Sequence, residues 1–178
     1  MRKAFLSRVL VLAIAMTTLI SNAAYADTSR EYQLKSAYIL NFARFIYWPS
    51  GSFLSSTDEF NICVYGESPF GESLDYLLGK KVQSRSIEIS YKEAMNNLEE
   101  CHILFVSKSE HGNYEGMLSR VPQSVLTVSD IEGFSSEGGM IEFVRVDNKV
   151  KFAINVTQST KSGIKYKSQL LEVAELLR

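Results

Sequence analysis

The sequence predicts a single α/β domain, a mainly parallel sheet flanked by helices with a late antiparallel hairpin. Three observations carry this. The runs "FNICVY", "HILFV" and "SVLTV" are short and mostly apolar, the pattern of strands covered on both faces. Segments of helical character lie between them, and alternating strand and helix builds a parallel sheet. After residue 138 the pattern changes. "GGMIEFVRVDNKVKFAIN" places two alternating strands around Asp147-Asn148, a hairpin signal.

Taken from the start, the chain opens with a secretory leader. Arg2, Lys3 and Arg8 precede the apolar run "VLVLAIAMTTLI", and Ala24-Tyr25-Ala26 gives an A-x-A cleavage pattern. The apolar core is about a dozen residues, short of the ~20 that span a bilayer. The alternative, an uncleaved membrane anchor, needs a longer core. The expected division is a signal peptide over residues 1–26 and one exported α/β domain over 27–178.

In residues 30–48, Leu34, Tyr38, Phe42 and Phe45 recur at helical spacing, and Ile39, Ala43 and Ile46 widen the apolar face. Pro49 stops that helix. Residues 60–65 read as a strand, 69–78 as a helix ended by Gly79, and 86–91 as a half-buried strand. A helical turn or two follows over 93–98. Then come a strand over 102–106, a short helix over 114–120 and a strand over 124–128. Beyond the hairpin, a helical piece at 157–161 breaks at Gly163, and a last helix covers about 168–177. No internal repeat or linker interrupts this order.

The composition narrows the function. The chain carries a net charge of −1 and loses three further positive charges with the leader. That leaves no electrostatic footprint for nucleic acid and no basic helix for anionic lipid. No direct membrane insertion is expected after residue 26. Cys63 and Cys101 are the two cysteines. In an oxidising compartment they suit one disulfide between neighbouring strands, with two buried thiols as the alternative. They make a poor metal site, and His102 does not complete one.

The turn in "CVYGESPFGESL" raises the question of a phosphate cradle. Its glycines, Gly66 and Gly71, lie five positions apart, and Gly71 is followed by Glu72 rather than Lys. Neither G-x-G-x-x-G nor a P-loop is present, and Glu67 and Glu72 would repel phosphate. A structural corner fits better, with Ser68 as cap, Pro69 at the first helical position and Glu72 at the positive helix end. No nucleophile elbow, H-E-x-x-H or C-x-x-C occurs. His102 reads as structural and His111 as solvated. Asp130, Glu132 and Glu137 could assemble an acidic hydrolase site, although a solvated acidic loop explains them better. No cofactor is expected.

Candidate contact residues remain. Tyr38, Phe42, Phe45, Tyr47 and Trp48 are more aromatics than one helix face needs; packing over the sheet accounts for most of them, and the surplus suits a protein interface, with Phe42, Phe45 and Trp48 as candidates. Phe134 either joins the core or faces a partner. Pro69, Phe70 and Asp130 fall in loops at the edge of an α/β sheet where ligands bind.

The ordered set "LKSAYILNFARFIYWP", "NICVYGESPFG", "CHILFVS", "VLTVSDIEGFSSEGGMIEFV", "VKFAIN" and "SGIKYKSQLLEVAELL" resembles the YfiR family over nearly all of residues 27–178. The resemblance implies a periplasmic, non-catalytic regulator. It would bind the periplasmic part of an inner-membrane diguanylate cyclase (YfiN-like) and repress cyclic-di-GMP synthesis, hence biofilm formation. An OmpA-like outer-membrane lipoprotein (YfiB-like) would release it. It also implies a homodimer, and a strand-to-strand disulfide where Cys63 and Cys101 stand. A second cysteine pair seen in some relatives is absent here. The alternative function is a periplasmic small-molecule sensor with its site near residues 66–71 and Ser129-Asp130.

Overall fold

The computed structural model describes residues 28–49, 51–53, 55 and 58–177. The expected signal peptide lies outside the described residues.

The first described element is helix α1, residues 28–44. Its buried stripe is Tyr32, Lys35, Ser36, Ile39, Phe42 and Ala43, continued by Ile46. That is the i, i+3/i+4, i+7 ladder of a helix lying on a sheet. The stripe is rotated from the one the apolar residues alone suggest. Leu34, expected in the core, is 44% exposed on the helix flank.

The main sheet has eight strands. They are β2 (Phe60–Tyr65), β3 (Lys81–Val82), β4 (Arg85–Lys92), β5 (Ile103–Val106), β6 (Leu126–Ser129), β7 (Ile141–Val146), β8 (Lys149–Ile154) and β10 (Leu176–Leu177). Their spatial order is β10-β8-β7-β6-β5-β2-β4-β3. The chain thus starts in the middle of the sheet at β2, steps out to β4, and crosses back to β5. Strands β4, β2, β5, β6 and β7 pair in parallel, while β7–β8 and β3–β4 are antiparallel. Two further strands, β1 (Ile46–Tyr47) and β9 (Lys165–Tyr166), form a separate antiparallel pair.

The continuous apolar runs have a direct cause. In β2, Ile62 and Val64 face the α1 layer while Cys63 faces the opposite layer. In β5, Ile103 and Phe105 face α1, and Leu104 and Val106 face away. Both faces are covered, so neither register position tolerates polarity. The opposite layer carries helix α2 (Tyr114–Leu118), whose Tyr114 and Met117 are buried there with Phe134. Helices α3 (Val156–Lys161) and α4 (Ser168–Glu172) follow the hairpin.

The hairpin turns at Asp147 and Asn148, both at positive φ of 48° and 58°. Paired left-handed residues match the twist of the flanking strands. Several expectations are corrected. Residues 69–78 form two 3-10 turns, Gly71–Ser73 and Asp75–Leu77, rather than one helix. Gly71 at φ +53° begins the segment outside helical geometry. The last helix stops at Glu172. Beyond it β10 pairs in parallel with β8, so the hairpin is not the sheet edge.

Candidate functional site

Strands β5 and β6 end side by side, Val106 opposite Ser129. Ser107, Lys108 and Asp130 therefore emerge together at the carboxyl edge of the parallel strands, where open α/β sheets place their sites. The amino-terminal half of α1 lies over this edge. Between them is a cleft of about 790 Å³.

Its floor is an ion network. Lys35 is buried to 2% exposure, and its Nζ lies 2.5 Å from Asp130 Oδ2 and 2.6 Å from Glu31 Oε1. Tyr32 donates its hydroxyl to the same Asp130 oxygen at 2.7 Å. The lysine nitrogen also sits 4.2 Å from the Tyr32 ring centroid and 5.8 Å from that of Phe143. Arg145 on β7 reaches Glu31 at 2.6 Å, and Lys108 approaches Asp130 at 3.8 Å. A buried ammonium is tolerable only with charge partners of this kind. Burial alone would raise the Glu31 pKa; the Lys35 and Arg145 cations outweigh it and hold it below the ordinary carboxylate value. Burial, followed by the bond to Asp130, raises the Tyr32 phenol. Asp130 Oδ1 and Ser107 Oγ are both buried without a hydrogen-bond partner among the described residues.

The loop after β6 is held from inside. Ser129 Oγ donates to the Val106 carbonyl at 2.7 Å and accepts from the Ile131 amide at 3.0 Å. Glu142, almost fully buried, accepts from the Gly133 and Ser135 amides at 3.0 Å and from the Ser135 hydroxyl at 2.6 Å. Asn155 donates to the Ser135 carbonyl at 2.7 Å and caps α3 by accepting from the Gln158 amide at 2.8 Å.

The sequence-derived contact residues separate under this geometry. Asp130 belongs to the cleft. Phe42, Phe70 and Phe134 are buried, and Phe70 also borders the hollow beside Pro69. Phe42 packs on Phe143 and Phe152, Phe70 edge-on against Phe105 at 4.7 Å, and Phe134 against Tyr114 at 5.5 Å. Phe45, Trp48 and Pro69 are half-buried. Glu132 and Glu137 are exposed while Asp130 is turned inward to Lys35, so the three acids do not converge.

The glycine turn is a corner. Gly66 takes φ +87°, and a Cβ there would collide with the side chains of Ser109 and Glu110. Ser68 Oγ accepts from the Phe70 amide at 3.4 Å, and the turn delivers Phe70 into the core. Pro69 is outside the 3-10 turns and lines a second hollow with Thr28, Ser29 and Gln33. The Cys63–Cys101 disulfide ties β2 to the segment entering β5, Cα to Cα 5.8 Å. Among the described residues no helix is long and apolar enough to cross a membrane. Residue types alone did not mark Tyr32, Lys35 or Glu142. The one available signal was a lysine on an otherwise buried helical stripe.

The sequence pattern of the YfiR/HmsC-like family matches residues 32–175. The chain belongs to that family. Membership of the YfiR/HmsC-like group points to a periplasmic regulatory role in cyclic-di-GMP signalling. No curated protein matches the chain. Among solved structures it is similar to an ABC domain in complex with L-Trp from Streptococcus pneumonia, at 11% identity and TM-score 0.49, covering 67% of this chain and 55% of that one. It is also similar to a conserved domain protein from Vibrio cholerae, at 10% identity and TM-score 0.46, covering 71% and 57%. The chain thus spans little more than half the length of either structure.

Proposed function

We propose that this chain is a periplasmic protein-binding repressor. Its target would be the periplasmic part of an inner-membrane diguanylate cyclase, and an OmpA-like outer-membrane lipoprotein would release it. The single observation that carries the reading is the family match over residues 32–175. In this reading residues 1–26 are the cleaved leader, residues 27–178 form the exported domain, and the active species is a homodimer without catalysis of its own. Repression then requires tighter binding to the inactive cyclase than to the active one, since equal affinity shifts no population. The acid trio gives a hydrolase reading little support, because Glu132 and Glu137 are exposed while Asp130 Oδ2 is paired with Lys35 and Tyr32.

The test is intracellular cyclic-di-GMP in a deletion strain against parent and complemented strains. The expected result is a rise that complementation reverses. No change, with the protein expressed in the parent, would overturn the repressor reading.

One observation favours a second reading, a small-molecule sensor. Asp130 lines the cleft floor with one oxygen unpartnered. A ligand seated there would raise the melting temperature by mass action, which a thermal-shift screen of periplasmic metabolites reads directly.

A further inference from the structure

The flank of α1 that turns away from the core forms one wall of a groove, and the β7–β8 hairpin forms the other. The groove encloses about 420 Å³. Its floor is apolar. Leu34 is 44% exposed there, beside the half-buried Tyr38 and Val150. Arg30, Leu34 and Tyr38 are spaced four apart, so they form one ridge along the helix. The rims are basic. Arg30 stands on the helix side and Arg145, Lys149 and Lys151 on the hairpin side. Arg145 answers Glu31 and Lys151 answers Glu175 at 3.3 Å. Arg30 and Lys149 are exposed and make no ion pair among the described residues.

This concentration of cations is unexpected on a chain of net charge −1. Tyr38 anchors one wall to the sheet through Phe143 and Phe152, with centroids 6.0 and 5.3 Å apart, so the groove is preformed. An apolar floor between positive rims is complementary to an apolar stripe flanked by carboxylates. We propose that this groove docks an acidic amphipathic segment of a partner protein. The proposal rests on the reading above only in taking the occupant to be a protein. Nucleic acid and anionic membrane are disfavoured, because the remainder of the surface is net negative.

The test is photocrosslinking in living cells with the full-length chain. A benzophenone amino acid replaces Leu34, or Tyr91 on β4 as the comparison site, and adducts are identified by mass spectrometry. The expected result is an adduct from Leu34 to a different envelope protein, joined within a segment bearing acidic residues. Arg30→Glu with Lys149→Glu should cut its yield about tenfold, since like charges at a rim oppose docking. Lys81→Glu with Lys165→Glu, exposed and outside the groove, should leave it unchanged. An adduct to a protein that is neither a diguanylate cyclase nor an OmpA-like lipoprotein supports the groove while counting against the partners proposed above. Four outcomes would overturn the proposal: no protein adduct, an adduct to a second copy of this chain, an adduct indifferent to the Arg30/Lys149 reversal, or charge-dependent sedimentation of the chain with anionic vesicles in place of any protein adduct.

Discussion

Lys35 places a full positive charge inside the domain, enclosed by Glu31, Asp130, Tyr32 and Phe143. The gain from such a network is small, yet breaking it is costly, because the abandoned partner stays buried. Lys35→Met should therefore lower unfolding free energy by about 3–5 kcal/mol in urea titration. Adding Asp130→Leu should recover much of that loss. An equal or larger loss in the double variant would show that the network adds more than charge compensation. His102 gives a second test. Its Nδ1 accepts from the Asn61 amide at 3.0 Å, so Nε2 carries the proton, donated to the Ser52 carbonyl at 2.9 Å. Burial foremost, then the Arg85 charge, hold its pKa below 6.5, against the opposing bond to Ser52. Above about pH 6.5 both the folded and unfolded rings are neutral and this contribution is complete. As pH falls below 6.5 the unfolded ring takes a proton that the folded ring refuses, and stability declines by up to about 1.4 kcal/mol per pH unit. Melting temperatures at pH 7.5 and 5.5 should differ less in His102→Gln than in the parent.

The elements differ in how plainly their residues announce them. Strands β2 and β5 were legible because two covered faces leave the apolar runs 62–64 and 103–106, while β6 mixes buried Thr127 and Ser129 with Leu126 and Val128. The hairpin was legible because Asp147 and Asn148 supply the two left-handed residues its turn needs. Strands β1, β3, β9 and β10 are two residues each, too short for any period to appear. The 3-10 turns within 71–77 look helical in sequence because Ser68, Pro69, Glu72 and Gly79 supply the end signals of a helix. The cleft floor was illegible for another reason: Lys35 finds Asp130 only across 95 residues. The corner at Gly66 is a test at this scale. Gly71→Ala meets nothing within 4 Å and should cost only its left-handed backbone, about 1 kcal/mol. Gly66→Ala adds the loss of Ser109 Oγ as acceptor for the Glu67 amide, and should cost about 2 kcal/mol or more in the same denaturation assay.

At the scale of the molecule, one sheet separates two apolar layers, and the Cys63–Cys101 bond lies in the layer opposite α1. It closes a separation of 38 residues, which the chain-entropy account values at about 4 kcal/mol. Reductant, or Cys63→Ser with Cys101→Ser, should lower the denaturation midpoint accordingly. An unchanged midpoint would mean that the bond contributes nothing to stability. The arrangement of strands has a temporal consequence. Tyr32 and Asp130 are joined across 98 positions, and Asp130 directly follows β6. A chain delivered from its amino end presents α1 first, with Lys35 answered only by Glu31 of the same helix on the side it must bury. The buried network around Lys35 is complete only once residue 130 has arrived. Closure of the domain is therefore a late event, governed by long-range meetings rather than by local winding.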